Sequence, residues 1–132
     1  MTRRLLLALL LGACARPPQP TAAVPVPSTT LEAVEARLGQ TDFALYDANP
    51  KEMFEAGHIH GARWVKFNEV TRAQLPAAPD TELVFYCANE LCTASHDAAR
   101  AALSLGFARV EVMPAGYFGW RRSGRPVEEP TH

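Results

Sequence analysis

Cysteine is scarce in this chain: three in 132 residues leave no room for a framework of several disulfide bridges. Basic clusters are missing too. Past Arg3 and Arg4 the only adjacent basic pair is Arg121-Arg122, and no Lys/Arg run is interleaved with aromatics, so nucleic acid is not an expected partner. A membrane-spanning run is also lacking, because the unbroken apolar stretch from Leu5 to Leu11 falls well short of the roughly 20 residues a spanning helix requires. The length allows one domain.

What is present begins at the amino end. Residues 1–13 read as two arginines, an apolar run and small residues, the layout of a secretion signal. Leu11-Gly12-Ala13-Cys14 resembles the lipobox of bacterial lipoproteins, which implies cleavage before Cys14 and acylation of its sulfur and amine. Several acyl chains anchor stably where one is marginal, so the expectation is an exported, cell-envelope lipoprotein. Ala15 rather than Asp after the anchor permits, by the same resemblance, passage to the outer membrane, and the protein is expected on the periplasmic face of a membrane. Without Arg3 and Arg4 the chain carries 11 basic and 14 acidic residues, a net charge of −3.

Residues 14–27 hold Pro17, Pro18, Pro20, Pro25 and Pro27 and are expected to form an extended tether, since proline fixes φ and removes a backbone donor. Residues 28–127 are the expected folded domain and residues 128–132 an expected disordered tail. With Cys14 lipidated, Cys87 and Cys92 remain in a compartment where disulfides persist. A bridge over four intervening residues would close a small loop and stabilise little, which favours redox or catalytic use over stapling.

Within the domain, Thr29 and Glu32 form a candidate capping box before Leu31, Val34 and Leu38, with Gly39 ending the helix. Phe43-Ala44-Leu45-Tyr46 reads as a buried strand leaving the sheet at Asp47, and a second helix fits Lys51 to Ala56. Arg63 to Phe67 is strand-like, and Asn68 to Leu75 fits a helical turn or two. Glu82 to Tyr86 is a strand ending at Cys87, Thr93 to Leu105 a helix, Arg109 to Met113 a strand, and Gly116 to Arg121 a short helix. Alternating strands and helices with short connections predict an α/β fold, with a central parallel sheet of about five strands and helices on both faces.

Ligands of such sheets bind at the carboxyl edge, where Cys87 stands. The loop from Cys87 to Thr93 runs from a buried strand into a helix, so amides can converge on an anion there. A thiolate is such an anion, and those donors are expected to lower the Cys87 pKa and activate it as a nucleophile. The alternative is a buried, inert cysteine at a strand end.

Four landmarks stand along the chain: Leu45-Tyr46-Asp47 at a strand end, Gly57-His58-Ile59-His60-Gly61-Ala62 ten residues later, Phe85-Tyr86-Cys87 before a helix holding Ser95, Ala98, Ala99, Leu103, Gly106 and Phe107, and Met113-Pro114-Ala115-Gly116 with Trp120. With these the chain resembles the rhodanese family over residues 28–127: the first two are similar to its aspartate strand and its GHIPGA motif, with His60 in place of proline. The third is similar to its active-site loop and the helix behind it, and the last to its closing turn. The resemblance implies a sulfurtransferase that stores sulfur as a persulfide on Cys87 and needs no cofactor. It also implies that the amides of Ala88, Asn89, Glu90, Leu91, Cys92 and Thr93 cradle the outer sulfur.

This sequence departs from the family at Asn49, where arginine is common, at Glu90, and at Cys92, where a basic residue or threonine is usual. An acidic loop disfavours a dianionic donor such as thiosulfate, since like charges about 4 Å apart cost from about 1 kcal/mol in water to several at lower dielectric. Cys92 suggests internal resolution, leaving a Cys87–Cys92 disulfide; the alternative is a small apolar plug. Asp47, His58 and His96 are pocket candidates; the resemblance also explains His58 as a structural hydrogen-bonding residue, and His96 is an acid or base unless it is simply a solvated surface residue. Trp120 and Tyr117 either line the pocket or seal the sheet edge. His58, His60, Cys87 and Cys92 have the residue types of a zinc or copper site, but the favoured reading assigns no metal. The expected partner is a small sulfur-containing donor or a protein thiol, met by a monomer. The rival reading is a non-catalytic module that holds an envelope protein or a small anion.

Overall fold

Two runs with uncharged interiors, Phe43–Asp47 and Glu82–Tyr86, form the centre of the sheet. The structure, a computed structural model, describes residue 12, residues 14–18 and residues 23–131. Most of the signal and residues 19–22 of the tether lie outside the described residues. In chain order the elements are α1 (Leu31–Arg37), β1 (Phe43–Asp47), α2 (Lys51–Ala56), β2 (His58–Ile59) and β3 (Arg63–Trp64). There follow β4 (Glu82–Tyr86), α3 (Ala94–Ser104), β5 (Val110–Val112), α4 (Gly116–Arg122) and β6 (Val127–Glu128).

The central sheet has four parallel strands in the order β3-β1-β4-β5, and β2 and β6 form a separate antiparallel pair. The sheet has four strands rather than about five; beyond β5 only an isolated bridge forms, in which Ser28 lies parallel to Val112. Thr29 donates to the Val112 carbonyl and Val112 donates to Pro27, but Pro25 and Pro27 have no N–H with which to extend a ladder.

Period-2 alternation divides the core. Tyr46, Leu83, Phe85 and Val112 pack with Ala98, Ala99 and Ala102 of α3 on one face, where the Tyr46 and Phe85 rings stack with centroids 5.2 Å apart. Leu45, Val84 and Tyr86 face the other way, against Val34 of α1 and Tyr117 and Trp120 of α4. Burial on both faces is what a parallel sheet under helices requires, and it explains the continuous apolar runs in β1 and β4.

Several boundaries differ from the sequence expectation. Thr30, not Thr29, caps α1 by accepting from the Ala33 amide at 3.2 Å, because the Thr29 hydroxyl is taken by Arg37 at 3.0 Å. Expected strand 63–67 ends at Trp64: Val65 still donates to the Asp47 carbonyl, but β1 ends there and leaves no further partner alongside. Between residues 68 and 75 only a 3₁₀ turn forms, Arg72–Gln74, held by a capping box between Thr71 and Gln74. The expected tail starts inside β6, since Glu128 pairs with His58. Trp120 is fully buried and donates to the Pro126 carbonyl at 2.9 Å, so it seals the sheet rather than lining a pocket. Among the described residues no helix is long and apolar enough to cross a membrane.

Candidate active site

β4 delivers Cys87 to the carboxyl edge of the sheet, on the face that α3 covers, and leaves it 2% exposed. The chain then turns sharply at Asn89. Its side-chain oxygen accepts from the Leu91 amide at 3.0 Å and its carbonyl from the Cys92 amide at 3.1 Å, a local turn that asparagine builds readily. That curvature brings the Cα atoms of Cys87 and Cys92 to 6.2 Å, and the two sulfurs are joined in a disulfide. The resolving thiol expected at Cys92 is thus within bonding reach of Cys87.

The expected cradle of six amides is not assembled around the sulfur. Leu91 and Cys92 spend their N–H groups within the loop, and Thr93 directs its carbonyl to the His96 and Asp97 amides as α3 begins. Among the described residues no loop amide donates to Cys87 Sγ. The physical reason is the oxidation state, since a disulfide sulfur is neutral and offers no anion on which donors would converge. Its polar neighbour is the buried Ser95 hydroxyl, 3.6 Å away. A disulfide sulfur carries no hydrogen, so the serine is the donor. Ser95 is the polar neighbour missed as a site residue in the sequence; it was read only as part of the helix matching the family behind the loop.

A second constraint comes from α4. The amides of its second and third residues, Tyr117 and Phe118, donate to the carbonyls of Cys87 and Ala88 at 2.8 and 3.1 Å. The approach is so close that a Cβ on Gly116, whose φ is +64°, would meet the Ala88 carbonyl group and the Cys87 oxygen at 2.6 Å. Only glycine fits. Gly116→Ala is expected to cost about 2–5 kcal/mol and to loosen the loop. Denaturant unfolding together with hydrogen exchange across residues 87–93 would check this, and a variant as stable and protected as wild type would refute it.

Asp47 is fully buried at the end of β1, where Oδ1 accepts from the Asn49 amide at 2.8 Å. Burial pushes its carboxyl above the ordinary range, against the opposing pull of the Tyr86 hydroxyl and Asn49. Tyr86 is pushed up in turn, by burial first and by the Asp47 charge second, while its oxygen accepts from the Ile59 amide at 3.0 Å. A carboxyl raised in the fold is stabilising when protonated, and that stabilisation is lost as pH rises through the folded value. The stability of wild type relative to Asp47→Asn should therefore improve as pH falls from about 7 toward about 4. Thermal unfolding of both proteins across that range measures it, and a constant difference would contradict it.

The histidines do not join the cysteines. His58 stacks on Phe54, contacts the Phe54 carbonyl at 2.8 Å and reaches Glu128 at 2.7 Å, which ties α2 to β6 and removes it from the pocket candidates. His60 also turns to Glu128, at 3.3 Å, so the four candidate metal ligands are not drawn together. His96 sits on the first turn of α3 with Nδ1 buried and without a partner, and it makes no hydrogen bond to either sulfur.

Outside the loop lies an apolar cleft of about 530 Å³, walled by Ala48, Pro50, Trp64, Phe67, Cys92 and Ala94. Cys92 belongs to its wall; Cys87 does not. Trp64 is fixed by donating to the Asn49 carbonyl at 2.9 Å.

A parallel sheet covered on both faces, with a cysteine loop at its carboxyl edge, defines an α/β thiol-site domain. The chain belongs to the rhodanese-like domain family, whose model matches residues 30–123. Its fold is shared with solved structures. A Bacillus halodurans protein superimposes with a TM-score of 0.72 at 22% identity, covering 78% of this chain and 77% of that one. A thiosulfate sulfurtransferase from Pseudomonas aeruginosa gives 0.69 at 25% identity over 80% of this chain and 21% of that one. An HTH-type transcriptional regulator from Mycobacterium tuberculosis is 33% identical over 88 residues, 67% of this chain, and the chain spans 38% of that regulator's length.

Proposed function

We propose that this chain is an envelope sulfurtransferase or thiol-disulfide enzyme in which Cys87 is the nucleophile and Cys92 the resolving thiol. The observation that carries this reading is the bond between the two sulfurs across the Asn89 turn, with the Ser95 hydroxyl beside Cys87. In the reduced protein the Cys87 thiolate attacks the outer sulfur of a sulfane donor, whose thiolate leaves, and a persulfide forms on Cys87. Cys92 then attacks the Cys87 sulfur and hydrosulfide departs, so the two cysteines supply the two electrons that reduce the transferred sulfur. With no anion present the amides stay in the loop; a persulfide supplies the charge that would turn them inward. Attachment through Cys14, which is exposed and unbridged, would place this chemistry at the envelope.

Exposure of the reduced full chain to a sulfane donor, followed by mass spectrometry, tests the roles. Cys87→Ser should take up no sulfur, while Cys92→Ser should accumulate a persulfide that wild type converts to the disulfide. Sulfur on the Cys87→Ser protein, or no accumulation in Cys92→Ser, would refute the assignment.

A further inference from the structure

We propose that reducing thiols enter this site at Cys92, through the apolar cleft, and that the cleft selects thiols carried on apolar groups. The inference rests on the thiol chemistry proposed above and adds the direction of attack and the class of reductant. A thiolate displaces a disulfide sulfur in line, from the side opposite the leaving sulfur, so access decides which of the two is attacked. With the disulfide closed, Cys87 is 2% exposed and lies beside Ser95, which is also buried, so in the oxidised protein its sulfur offers no such approach. Cys92 stands in the wall of the cleft, where an entering sulfur finds open space.

The leaving group is favourable on this route. Attack at Cys92 forms a bond between the external sulfur and Cys92 Sγ and breaks the Cys87–Cys92 bond. Its electron pair stays on Cys87, whose thiolate can accept the Ser95 hydroxyl hydrogen. A second thiol equivalent then attacks the mixed disulfide and frees Cys92, so two external thiols are oxidised as the protein takes up two electrons. The walls decide the class of thiol. Trp64, Phe67, Pro50 and Ala94 present hydrocarbon; of the charged lining residues, Lys51 pairs with Glu55 and lies over the Trp64 ring, Lys66 pairs with Glu69, and Glu52 adds a carboxylate that disfavours anionic thiols. Phe67 is 39% exposed, so an apolar substituent seated against it would remove area from water without rearranging the core.

The oxidised full chain is treated briefly with benzyl mercaptan or 2-mercaptoethanol, quenched in acid, labelled with a maleimide under mildly acidic conditions and read as peptides. The benzylthio adduct should sit on Cys92 with the maleimide on Cys87, in about tenfold excess over the reverse arrangement. Phe67→Ser should lower the ratio of the benzyl mercaptan rate to the 2-mercaptoethanol rate by about threefold or more. An adduct mainly on Cys87, a disulfide opened by neither thiol, or an unchanged rate ratio would overturn the proposal. Persulfide formation on Cys87 is measured separately on reduced protein, so failure here is distinguishable from failure of the sulfur-transfer reading.

Discussion

The carbonyls of Cys87 and Ala88 are held by the amides of Tyr117 and Phe118, and the course of the loop depends on that pair of hydrogen bonds. Without a fixed end to β4, the turn at Asn89 would have no anchored starting point from which to carry Cys92 back toward Cys87. The pair exists because Gly116 has no side chain and adopts a positive φ, which lets α4 sit against the backbone of the loop. Trp120, on the same helix, is buried in the core and keeps α4 in place. One short helix thus links core packing to the geometry of the site.

The site couples a buried sulfur to an accessible one. Cys87 has the setting of a leaving group or a protected nucleophile, enclosed by the sheet edge and beside a hydroxyl donor, whereas Cys92 faces a hydrocarbon cleft. The loop amides are engaged in the turn while the sulfur is neutral. Asp47, Asn49 and Tyr86 form a buried polar group at the adjoining strand ends, where Oδ2 of Asp47 and Nδ2 of Asn49 lack partners and each carries the cost of an unsatisfied buried polar atom. The family's common arginine is replaced there by a neutral, buried Asn49.

Strands β1 and β4 were legible in the sequence because both faces are buried and the apolar runs are continuous. The place of Cys87 at the end of β4 was legible as well, because a clear strand and a clear helix flank it. The capping threonine of α1 was read one residue early, since only the fold shows Thr29 donating its amide to Val112 and giving its hydroxyl oxygen to Arg37. The cleft was not legible at all. Trp64 and Phe67 are remote in sequence from Cys92 and looked like strand residues until β3 ended at Trp64. The loop amides were read as a cradle, which treated the sulfur as an anion; its bond to Cys92 removes the charge that would organise them.

A redox titration asks whether residues 87 and 92 act as one reversible two-electron couple. The full chain is equilibrated in glutathione buffers of graded composition, trapped with a maleimide and read on the peptides carrying Cys87 and Cys92. Both thiols should disappear together in a single two-electron transition. Two cysteines that remain thiols in oxidising buffer, or that take up glutathione separately, would contradict it.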